Sequence, residues 1–481
     1  MSHPLPEIVH AQAAPRPAAG VSPFALVALT ADRAAAAVCD DAVVIEAAAR
    51  LQAAGFTVRR PSSTSINISG PPDLYERAFG CRLTTAERRR PEPDGHDRDV
   101  TFVECEHART PGLIATEGTG FAGLLAGVAI EEPRFLCQSP AGPATGYWHL
   151  SVPADVAHKL RADTAHQSRN TGTDVRVALV DSGYYRHPYF TGKGYKPVTT
   201  VLAPGSANPA ADEYGHGTAM AALILAVAPK AQLTVVKSTA ANTIEAFKTA
   251  VAQSPHVICF SWAGNNVNGP LSGADILLAD EIAQAVANGI AVVCPAGNGQ
   301  HAFPGQHPDV ISVGGAHLDE DGNLRASDYA SGFTSAIFPG RQVPDVAGLV
   351  GLRPNASYIM LPTQPGSDLD QVWFGRADGT KPDDGWAVFS GTSAAAAQTA
   401  GVCALIRSSW PGIRPRRMRK ILKSTARDVT AGRGYNAPGM NHAAAVGADD
   451  ATGSGLVDAD AAQTTARTVF EAKSIRSGVR P

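Results

Sequence analysis

The pattern of apolar and polar positions changes character between residues 137 and 148. After this point, runs of nearly continuous apolar residues alternate with amphipathic stretches. The apolar runs are VRVALVD, LTVVK, HVICFSW, IAVVCPAG and VISVGG, and the stretches between them include TIEAFKTAVAQ and ADILLADEIAQAVANG. Strands that are apolar on both faces and are separated by helices are typical of a parallel sheet covered on both sides. We therefore predict an α/β fold with a mostly parallel sheet.

The part of the chain before this change predicts a small α+β unit over residues 24–137. Strands are predicted at FALVALT, TSINISG, TFVECE and LLAGVAIEE, with TSINISG alternating like a half-buried strand. DDAVVIEAAARLQAAGF predicts a helix stopped by Gly55, and PDLYERAFG predicts a short helix with Pro at its start and Gly at its end. The charged segment TTAERRRPEPDGHDRD between two of these strands predicts a loop.

Composition sets the remaining boundaries. Residues 1–23 are rich in Pro and Ala and predict a flexible N-terminus, and residues 138–147, rich in Gly and Pro, predict a linker. The α/β domain is predicted over residues 148–466, with the basic amphipathic helix RPRRMRKILKSTARDV near its end. Residues 467–481 predict a loose C-terminal tail.

Charge and composition exclude some classes of partner. The chain has 481 residues and a net charge of −3, so we expect neither a nucleic acid nor a membrane as partner. No segment has the unbroken apolar length of a membrane span, and the first residues lack the pattern of a signal peptide. The seven cysteines form no recognisable framework, which favours a reducing compartment. These features predict a cytoplasmic location.

Four motifs put reactive side chains where strands end or helices begin, which is where parallel α/β sheets carry their functional groups. The strand VRVALV runs into Asp181, and DEYGHGT places His216 at a helix start between two glycines. The strand IAVVCP leads into AGNG, which puts Asn298 on a tight turn. In FSGTSAAAAQTAG, Ser393 follows a Gly-Thr pair and opens an alanine-rich helix.

Each motif alone also has a structural interpretation. Asp-Ser-Gly and Asn-Gly are common turns, His216 could cap its helix, and Ser before an Ala run is a good helix start. Together the four motifs supply every group that acyl transfer needs: a hydroxyl nucleophile, its base, an anion that orients the base, and a donor to the oxyanion. The combination therefore predicts acyl-transfer chemistry.

The same motifs carry a family resemblance. VALVDSG, YGHGT, AGNG and FSGTSAAAAQTAG resemble the signature segments of the subtilases, the subtilisin-like serine peptidases, and follow that family's order Asp, His, Ser. Similar segments, VAPKAQLTVVK, HPDVISVGG, VPDVAG and GSGLVDADAA, extend the likeness over roughly residues 145–465. The resemblance implies a three-layer α/β/α sandwich and a serine endopeptidase that acts through an acyl-enzyme.

By position, the resemblance also implies roles for individual residues. Asp181 would orient the base, His216 would be the general base and then the acid, and Ser393 would be the nucleophile. Asn298 and the backbone N–H of Ser393 would stabilise the oxyanion. The substrate-binding residues implied in the same way are Ser261, Trp262, Ala263, Ala296 and Gly297.

Two positions depart from the subtilase pattern. Ala397 stands where a proline is usual, and because a helix keeps its backbone hydrogen bond with alanine, we expect only a small change in how the serine is presented. Ala263 stands where a glycine is usual, and its methyl group would narrow the first specificity pocket. A plain buried strand end is the alternative interpretation of Ser261-Trp262-Ala263.

The N-terminal unit resembles a different group, the ferredoxin-like prodomain of the sedolisins, in AGF and in ISGPPDLYERAFGCRL. The catalytic part does not, because sedolisins lack the HGT histidine and have an aspartate where Asn298 stands. In these families such a unit assists folding and inhibits the enzyme, with its C-terminal tail in the cleft. We therefore expect autocleavage near residues 137–147, with a permanently attached regulatory domain as the alternative.

Other functions and ligands stay open at this point. A peptide ligase or macrocyclase would use the same acyl-enzyme, and an inactive subtilase-like binding module would use none of it. No cofactor is expected to be required, although Ca²⁺ is common among subtilases and Asp449, Asp450 and Asp458 are candidate ligands without EF-hand spacing. The expected partners are a protein or peptide substrate and the chain's own N-terminal unit as an intramolecular inhibitor.

Overall fold

Two main β-sheets organise the chain, one on each side of the predicted linker. The computed structural model describes residues 4–17, 22–25, 30–91, 97–106, 108–136, 148–353, 358–374 and 379–477. The linker itself, residues 138–147, lies outside these ranges. Residues 4–136 are called the N-terminal unit below, and residues 148–477 the catalytic unit.

The elements of the N-terminal unit are mostly short. Its strands are β1 (Val9–Pro15), β2 (Thr57–Arg59), β3 (Ile66–Gly70), β4 (Leu83–Pro91), β5 (Asp97–Cys105), β6 (Leu113–Ile114), β7 (Leu125–Ile130) and β8 (Phe135–Leu136). Its helices are α1 (Asp41–Ala53) and α2 (Pro72–Phe79), with 3₁₀ turns at Pro23–Ala25 and Ala31–Ala37.

The catalytic unit contains the longer helices. Its strands are β9 (Leu150–Ser151), β10 (Arg176–Asp181), β11 (Thr199–Leu202), β12 (Gln232–Lys237), β13 (Val257–Phe260), β14 (Trp262–Asn265), β15 (Ala291–Pro295), β16 (Ala302–Phe303), β17 (Ile311–Leu318), β18 (Leu324–Ala326), β19 (Phe333–Thr334), β20 (Gln342–Val343), β21 (Val346–Leu349), β22 (Ile359–Pro362) and β23 (Trp386–Phe389). Its helices are α3 (Ala154–Lys159), α4 (Ala162–Gln167), α5 (Pro188–Gly192), α6 (His216–Val227), α7 (Thr243–Ala252), α8 (Gly273–Ala287), α9 (Asp368–Phe374), α10 (Thr392–Ser409), α11 (Pro415–Thr425) and α12 (Ala459–Ser477).

A mostly parallel sheet forms the middle layer of the catalytic unit. Its strand order is β11-β12-β10-β13-β15-β17-β18, with β21 also paired to β17. Within the described part of this sheet, β17 and β18 are the only antiparallel pair. Along β10, Val177 and Leu179 face a core shared with α6 and α10, whereas Ala178 and Val180 face a core shared with α7 and α8. Helices therefore cover both faces, which confirms the predicted α/β sandwich.

The helix that follows Ser393 runs through the centre of the catalytic unit. Every residue of α10 from Thr392 to Ile406 is buried. A Cβ at Gly401 would lie 2.6 Å from Val227 Cβ, and one at Gly348 would lie 2.7 Å from Ala395 Cα. The small residues are therefore needed for this close packing of α10 on its neighbours.

An antiparallel sheet of order β2-β3-β1-β7-β6 forms the N-terminal unit. Its strands pack against α1 and α2 on one face, and Ala14 and Ala129 pack against Leu277 of α8 on the other. Because both faces are covered, every residue of β3 is buried, and the predicted half-buried strand is a fully buried one. The α+β character predicted for this unit is confirmed.

Three predictions for the N-terminal unit were wrong. Residues 9–15 do not belong to the flexible terminus predicted over residues 1–23, because β1 (Val9–Pro15) is the middle strand of the sheet, between β3 and β7. The predicted strand FALVALT begins as a 3₁₀ turn at Pro23–Ala25, and residues 26–29 lie outside the described ranges. On either side of residues 92–96, which lie outside the described ranges, the predicted charged loop belongs to the two-stranded ribbon of β4 and β5. In this ribbon Arg88 pairs with Glu104 and lies over the ring of Phe102.

The predicted loose tail was also wrong. Helix α12 continues to Ser477, and it packs on the rest of the catalytic unit through Ala462 and Ala466, which are buried. The ring of Phe470 lies 6.0 Å from that of Trp410 at the end of α10. The helix is therefore anchored by tertiary contacts, and the α/β domain does not end at residue 466.

Two of the cysteines differ from the expectation of a reducing compartment, in which disulfides are rare. Cys81 and Cys105 form a disulfide at the base of the β4–β5 ribbon, which the sequence did not suggest. Cys259, Cys294 and Cys403 are buried and belong to no disulfide. In the described ranges, none of the helices combines the length and apolar composition that a membrane crossing requires.

Candidate active site

Three of the four motifs meet at the carboxyl edge of the parallel sheet. Asp181 is the last residue of β10, His216 is the first of α6, and Ser393 is the second of α10. His216 Nδ1 lies 2.8 Å from Asp181 Oδ1, and His216 Nε2 lies 2.8 Å from Ser393 Oγ. All three side chains are buried. A serine, a histidine and an aspartate in this order form the catalytic arrangement of serine hydrolases.

The two hydrogen bonds fix the state of the imidazole. A proton on Nδ1 that is donated to Asp181 leaves Nε2 as the acceptor that faces the Ser393 hydroxyl. Asp181 Oδ1 also accepts a hydrogen bond of 2.8 Å from the Ser182 backbone N–H, so the carboxylate is held by its own turn. The histidine is therefore oriented to take a proton from the serine.

Glycine allows the aspartate and histidine segments to approach each other. A Cβ at Gly217 would lie 2.1 Å from the Gly183 carbonyl oxygen, so the two backbones are in direct contact. Gly215 adopts a φ of +92°, which side chains other than hydrogen disfavour. The glycines on either side of His216 are thus structural requirements of the site.

A second buried carboxylate, which sequence analysis quoted without assigning it a role, ties these segments together. Asp212 Oδ1 accepts hydrogen bonds from Ser182 Oγ at 2.7 Å and from the Gly215 N–H at 3.0 Å. Asp212 Oδ2 accepts from the N–H and the hydroxyl of Thr218, both at 2.7 Å. Burial raises the pKa of the Asp212 carboxyl, while the bonds from Thr218 and Ser182 oppose that rise. The only sequence signal was an aspartate four residues before the histidine.

The asparagine motif lies against the start of the serine helix. Asn298 Oδ1 accepts from the Thr392 N–H at 3.0 Å and from the Thr392 hydroxyl at 2.9 Å. These two bonds fix which end of the amide is oxygen, so the nitrogen is on the other side. Gly297 has a φ of +113°, and a Cβ there would lie 2.5 Å from the Gln300 carbonyl oxygen. The turn therefore requires glycine and holds Asn298 beside the residue preceding Ser393.

The residues expected to bind substrate divide into two groups. Trp262 and Ala263 lie in β14, which pairs with β16 on one side and with β8 of the N-terminal unit on the other. Ser261 and Ala296 are fully buried near the ends of central strands, and Gly297 belongs to the asparagine turn. Strand β14 is therefore the part of this set that pairs with a segment of the N-terminal unit.

The position that lacks the usual proline shows no break in the helix. Ala397 is buried within α10, which is continuous from Thr392 to Ser409. The expectation that alanine preserves the helix here agrees with this geometry. Its effect on turnover stays a prediction.

Two of the three candidate calcium ligands, Asp449 and Asp458, make hydrogen bonds or ion pairs within the protein. Asp449 Oδ1 accepts from the Ala451 and Thr452 backbone N–H groups, and Asp458 Oδ2 pairs with Arg161 at 2.9 Å. Among the described residues, no group of three or more His, Cys, Asp or Glu side chains could hold a metal ion. Within the described ranges, these aspartates therefore form no cluster of acidic side chains for calcium, and calcium binding stays a prediction.

Comparison with known proteins agrees with this geometry. A profile of the subtilase family matches residues 172–455, more than half of the chain. Alkaline elastase YaB from Bacillus sp. (strain YaB) is 28% identical over 324 residues, which are 63% of this chain and 68% of the elastase. Subtilisin Savinase of Lederbergia lenta is 27% identical over 333 residues, which are 65% of this chain and 98% of that protein.

A solved structure with a similar fold is fervidolysin from Fervidobacterium pennivorans, described as a keratinolytic enzyme related to subtilisin. It matches with a TM-score of 0.53 at 17% identity, over 95% of this chain and 61% of fervidolysin. At this identity the match supports the fold alone. With the family profile, the catalytic geometry and the curated relatives, the chain belongs to the subtilase family. It is a subtilisin-like serine protease.

Proposed function

We propose that the chain is a serine endopeptidase whose nucleophile is Ser393, with His216 as general base and Asp181 as the orienting carboxylate. The observation that carries this proposal is the chain of two 2.8 Å contacts from Asp181 through His216 to Ser393. A side-chain network with this order and spacing activates an otherwise weak hydroxyl nucleophile. The protein or peptide substrate supplies the carbonyl that is attacked.

The reaction follows from the positions of these atoms. Ser393 Oγ forms a bond to the carbonyl carbon while its proton passes to His216 Nε2. The peptide C–N bond then breaks, and His216 returns the proton to the leaving amine. Water then attacks the acyl carbon while one of its protons passes to His216 Nε2. The ester bond to Ser393 Oγ breaks, His216 returns the proton to Oγ, and the carboxylic acid product leaves. Asn298 and the Ser393 N–H, at the start of α10, would donate to the oxyanion during both steps.

Replacement of the nucleophile tests this function. Ser393→Ala should abolish both peptide turnover and covalent labelling by a fluorophosphonate, while the far-ultraviolet circular dichroism stays that of the wild type. Retained turnover in a folded Ser393→Ala variant would contradict the proposal. No labelling of wild type in which the cleft has been freed would favour the inactive binding module instead.

The fate of the acyl-enzyme separates hydrolysis from ligation. A peptide ligase or macrocyclase would hand the acyl group to an amine, and products joined by new peptide bonds would then appear by mass spectrometry. We propose hydrolysis, because no described feature selects an amine over water. Dominant transpeptidation in the presence of a peptide amine would overturn that choice.

We further propose that the N-terminal unit restrains the enzyme by pairing with Trp262 and Ala263 of β14, which are implied to bind substrate. The side of β14 that pairs with β8 is called the substrate edge below. Leu136 pairs antiparallel with Trp262, and Phe135 with Ala263, so β8 adds a strand to the edge implied to bind substrate. Added strands of this kind are a common mode of peptide recognition. A substrate that uses the same edge cannot enter while β8 is there.

Buried polar contacts support a stable attachment of the N-terminal unit. Lys248 Nζ on α7 donates to the Arg60 carbonyl at 2.7 Å and to the Ser65 carbonyl at 3.0 Å. Glu281 Oε1 on α8 accepts from the hydroxyls of Thr64 at 2.6 Å and Ser65 at 3.0 Å. These contacts exist only while the N-terminal unit is attached, so they stabilise the state in which it covers the substrate edge.

Autocleavage near residues 137–147 is the proposed route of release. Intact-mass measurement on purified wild type and on Ser393→Ala tests it: wild type should lose the mass of the N-terminal unit, and the variant should stay whole. If both stay full length, the N-terminal unit is a permanently attached regulatory domain.

We propose a cytoplasmic location, although one disulfide argues against it. The Cys81–Cys105 disulfide is of a kind that persists mainly in oxidising compartments. Fractionation of cells that express the chain with a C-terminal tag tests the location. Recovery from the cytoplasmic fraction would support it, and recovery from the medium would overturn it.

A further inference from the structure

A buried arginine lies directly before the strand that covers the substrate edge. Arg134 precedes β8, and its side chain is only 1% exposed. Its guanidinium donates to Asp275 Oδ1 at 2.6 Å and to Thr243 Oγ1 at 2.9 Å. A charge removed from water to this extent needs a specific partner. We call Thr243 and Asp275 the arginine subsite.

The arginine subsite is built entirely by the catalytic unit. Thr243 is the first residue of α7, and Asp275 lies in the first turn of α8, where the helix dipole favours a carboxylate. The Asp275 N–H donates to Ser272 Oγ at 3.1 Å, and Asp275 Oδ2 accepts from Asn266 Nδ2. These contacts hold the carboxylate in place without help from the N-terminal unit. The subsite therefore stays available to another peptide once that unit leaves.

Backbone pairing places the arginine subsite relative to the substrate. Leu136 is opposite Trp262 and Phe135 is opposite Ala263, in antiparallel register. Backbone pairing sets this register. A substrate that pairs with Trp262 and Ala263 in the same direction would therefore place the side chain that precedes its two paired residues where Arg134 lies. The subsite is then a substrate pocket as well as an anchor for the N-terminal unit.

The chemistry of the arginine subsite favours one side chain. With the N-terminal unit attached, Asp275 is 2% exposed. A peptide that fills the same space with an uncharged side chain would leave this carboxylate buried without a charge partner. Arginine can bond to Asp275 and Thr243 at once through its fork of donors, whereas lysine has a single nitrogen. An apolar or acidic side chain would be disfavoured.

We propose that Asp275 and Thr243 make this protease select substrates with arginine immediately before the two residues that pair with Trp262 and Ala263. This inference rests on the proposed function, because it takes the N-terminal tail as a stand-in for a bound substrate. Asp275 is then a specificity-determining residue rather than a group that contacts the reacting atoms.

Matched peptides test the selection on the wild-type protein. The peptides keep the Phe-Leu pair of the tail and carry Arg, citrulline, Lys, norleucine or Glu before it. Citrulline has nearly the shape of arginine and lacks its charge. We expect kcat/KM to be about 10- to 100-fold higher for Arg than for citrulline, from the worth of charged hydrogen bonds. Equal kcat/KM for these two peptides would overturn the inference.

Variants locate the selection at Asp275. In Asp275→Asn the Arg-to-citrulline ratio should fall below about threefold, whereas Asp321→Asn, on an exposed turn, should keep the wild-type ratio. An unchanged ratio in Asp275→Asn would assign the selection to another residue and overturn the inference. If Asp275→Asn fails to fold, the wild-type comparison still decides.

The two proposals fail in different ways. Cleavage of all five peptides at similar kcat/KM would reject the arginine subsite and leave the proposed peptidase function standing. If wild type whose N-terminal unit has been removed cleaves no peptide and its Ser393 takes no fluorophosphonate label, the proposed function fails and the subsite fails with it. If Ser393 is labelled while the Arg peptide is left uncut and other sequences are cut, only the subsite is rejected.

Discussion

Ser182 Oγ donates a 2.7 Å hydrogen bond to Asp212 Oδ1 and accepts one of 3.0 Å from the Gly217 N–H. The first residue after Asp181 is thereby connected with both sides of His216. Asp212 is an acceptor in all four of the hydrogen bonds described for it, which suits an ionised carboxylate. We interpret Asp212 as a positioning residue that sets the distance between the aspartate and the histidine.

Replacing Asp212 should therefore impair catalysis more than binding. In Asp212→Asn an amide NH₂ would face donors that now point at an oxygen, which costs about 1–3 kcal/mol of stability. A displaced imidazole should lower kcat by up to about 10²-fold, with KM nearly unchanged. Peptide kinetics and the rate of fluorophosphonate labelling, compared with Asp321→Asn, check this. A lower melting temperature with unchanged kcat per labelled serine would reduce Asp212 to a structural role.

The amide of Asn298 should matter only in the transition state. Asn298→Ala removes a donor to the oxyanion, and we expect kcat to fall by about 10²–10³, a figure known for the corresponding donor of a subtilisin and not calculated for this chain. KM should change little. The Thr392→Val variant is a useful companion, because it removes the hydroxyl that holds Asn298 Oδ1 at 2.9 Å and leaves the amide in place. A loss in Asn298→Ala no larger than that in Thr392→Val would contradict the oxyanion role.

The candidate catalytic residues could be located in the sequence because each belongs to a local motif. Asp181, His216 and Ser393 stand at the junctions between strands and helices, and junctions are encoded by neighbouring residues such as Gly217. Asp212 and Ser182 are 30 residues apart, so their contact could not be inferred from local pattern. The same is true of Arg134 and Asp275, which are 141 residues apart.

The errors in the predicted fold have the same physical origin. The alanine-rich β1, VHAQAAP, has little intrinsic strand propensity and is a strand because it pairs with β3 and β7. The β4–β5 ribbon is rich in charge, and Arg88 on β4 pairs with Glu104 on β5 and with Glu132, which lies between β7 and β8. Helix α12 is weakly amphipathic and is anchored by Phe470. Tertiary contacts decided each of these elements.

The restraint by the N-terminal unit should weaken as pH rises. Glu245 on α7 faces Arg60 of the N-terminal unit, with Arg60 Nε 3.0 Å from Glu245 Oε1. Burial raises the pKa of Glu245 to about 7, against the opposing charges of Lys248 and Arg60. Burial, followed by the charge of Asp275, raises the pKa of Glu132 to about 7 as well. These two carboxyls hold protons in the attached state that they would release in water.

The sign of the effect follows from these shifts. In the detached state the two carboxyls would have the ordinary glutamate pKa of about 4.3. The attached state therefore binds more protons between that pH and about 7. Attachment is thus favoured at low pH, and the advantage is lost as pH rises through about 7. In Ser393→Ala, which cannot process itself, a fluorescent substrate peptide should bind with a smaller apparent Kd at pH 8 than at pH 5. Glu245→Gln with Glu132→Gln should flatten this dependence, and an unchanged slope would contradict the role of these residues.

Glu281 offers a test of the attachment at a single pH. Its Oε1 accepts from Ser62 at 3.1 Å as well as from Thr64 and Ser65, so Glu281→Ala leaves three hydroxyls of the N-terminal unit without this acceptor. A loss of about 1.5–3 kcal/mol for hydrogen bonds to a charged group predicts about 10- to 100-fold more of the detached state.

Hydrogen exchange on the Ser393→Ala background measures that loss. The amides of β8 and β14 should exchange faster in Glu281→Ala, because their pairing opens whenever the N-terminal unit detaches. Amides of β10, in the middle of the central sheet, should exchange as before, which separates detachment from general unfolding. The exposed Glu320→Ala variant should match the parent. Faster exchange confined to β3, with β8 and β14 still protected, would show that the tail holds the substrate edge independently of the Glu281 contacts.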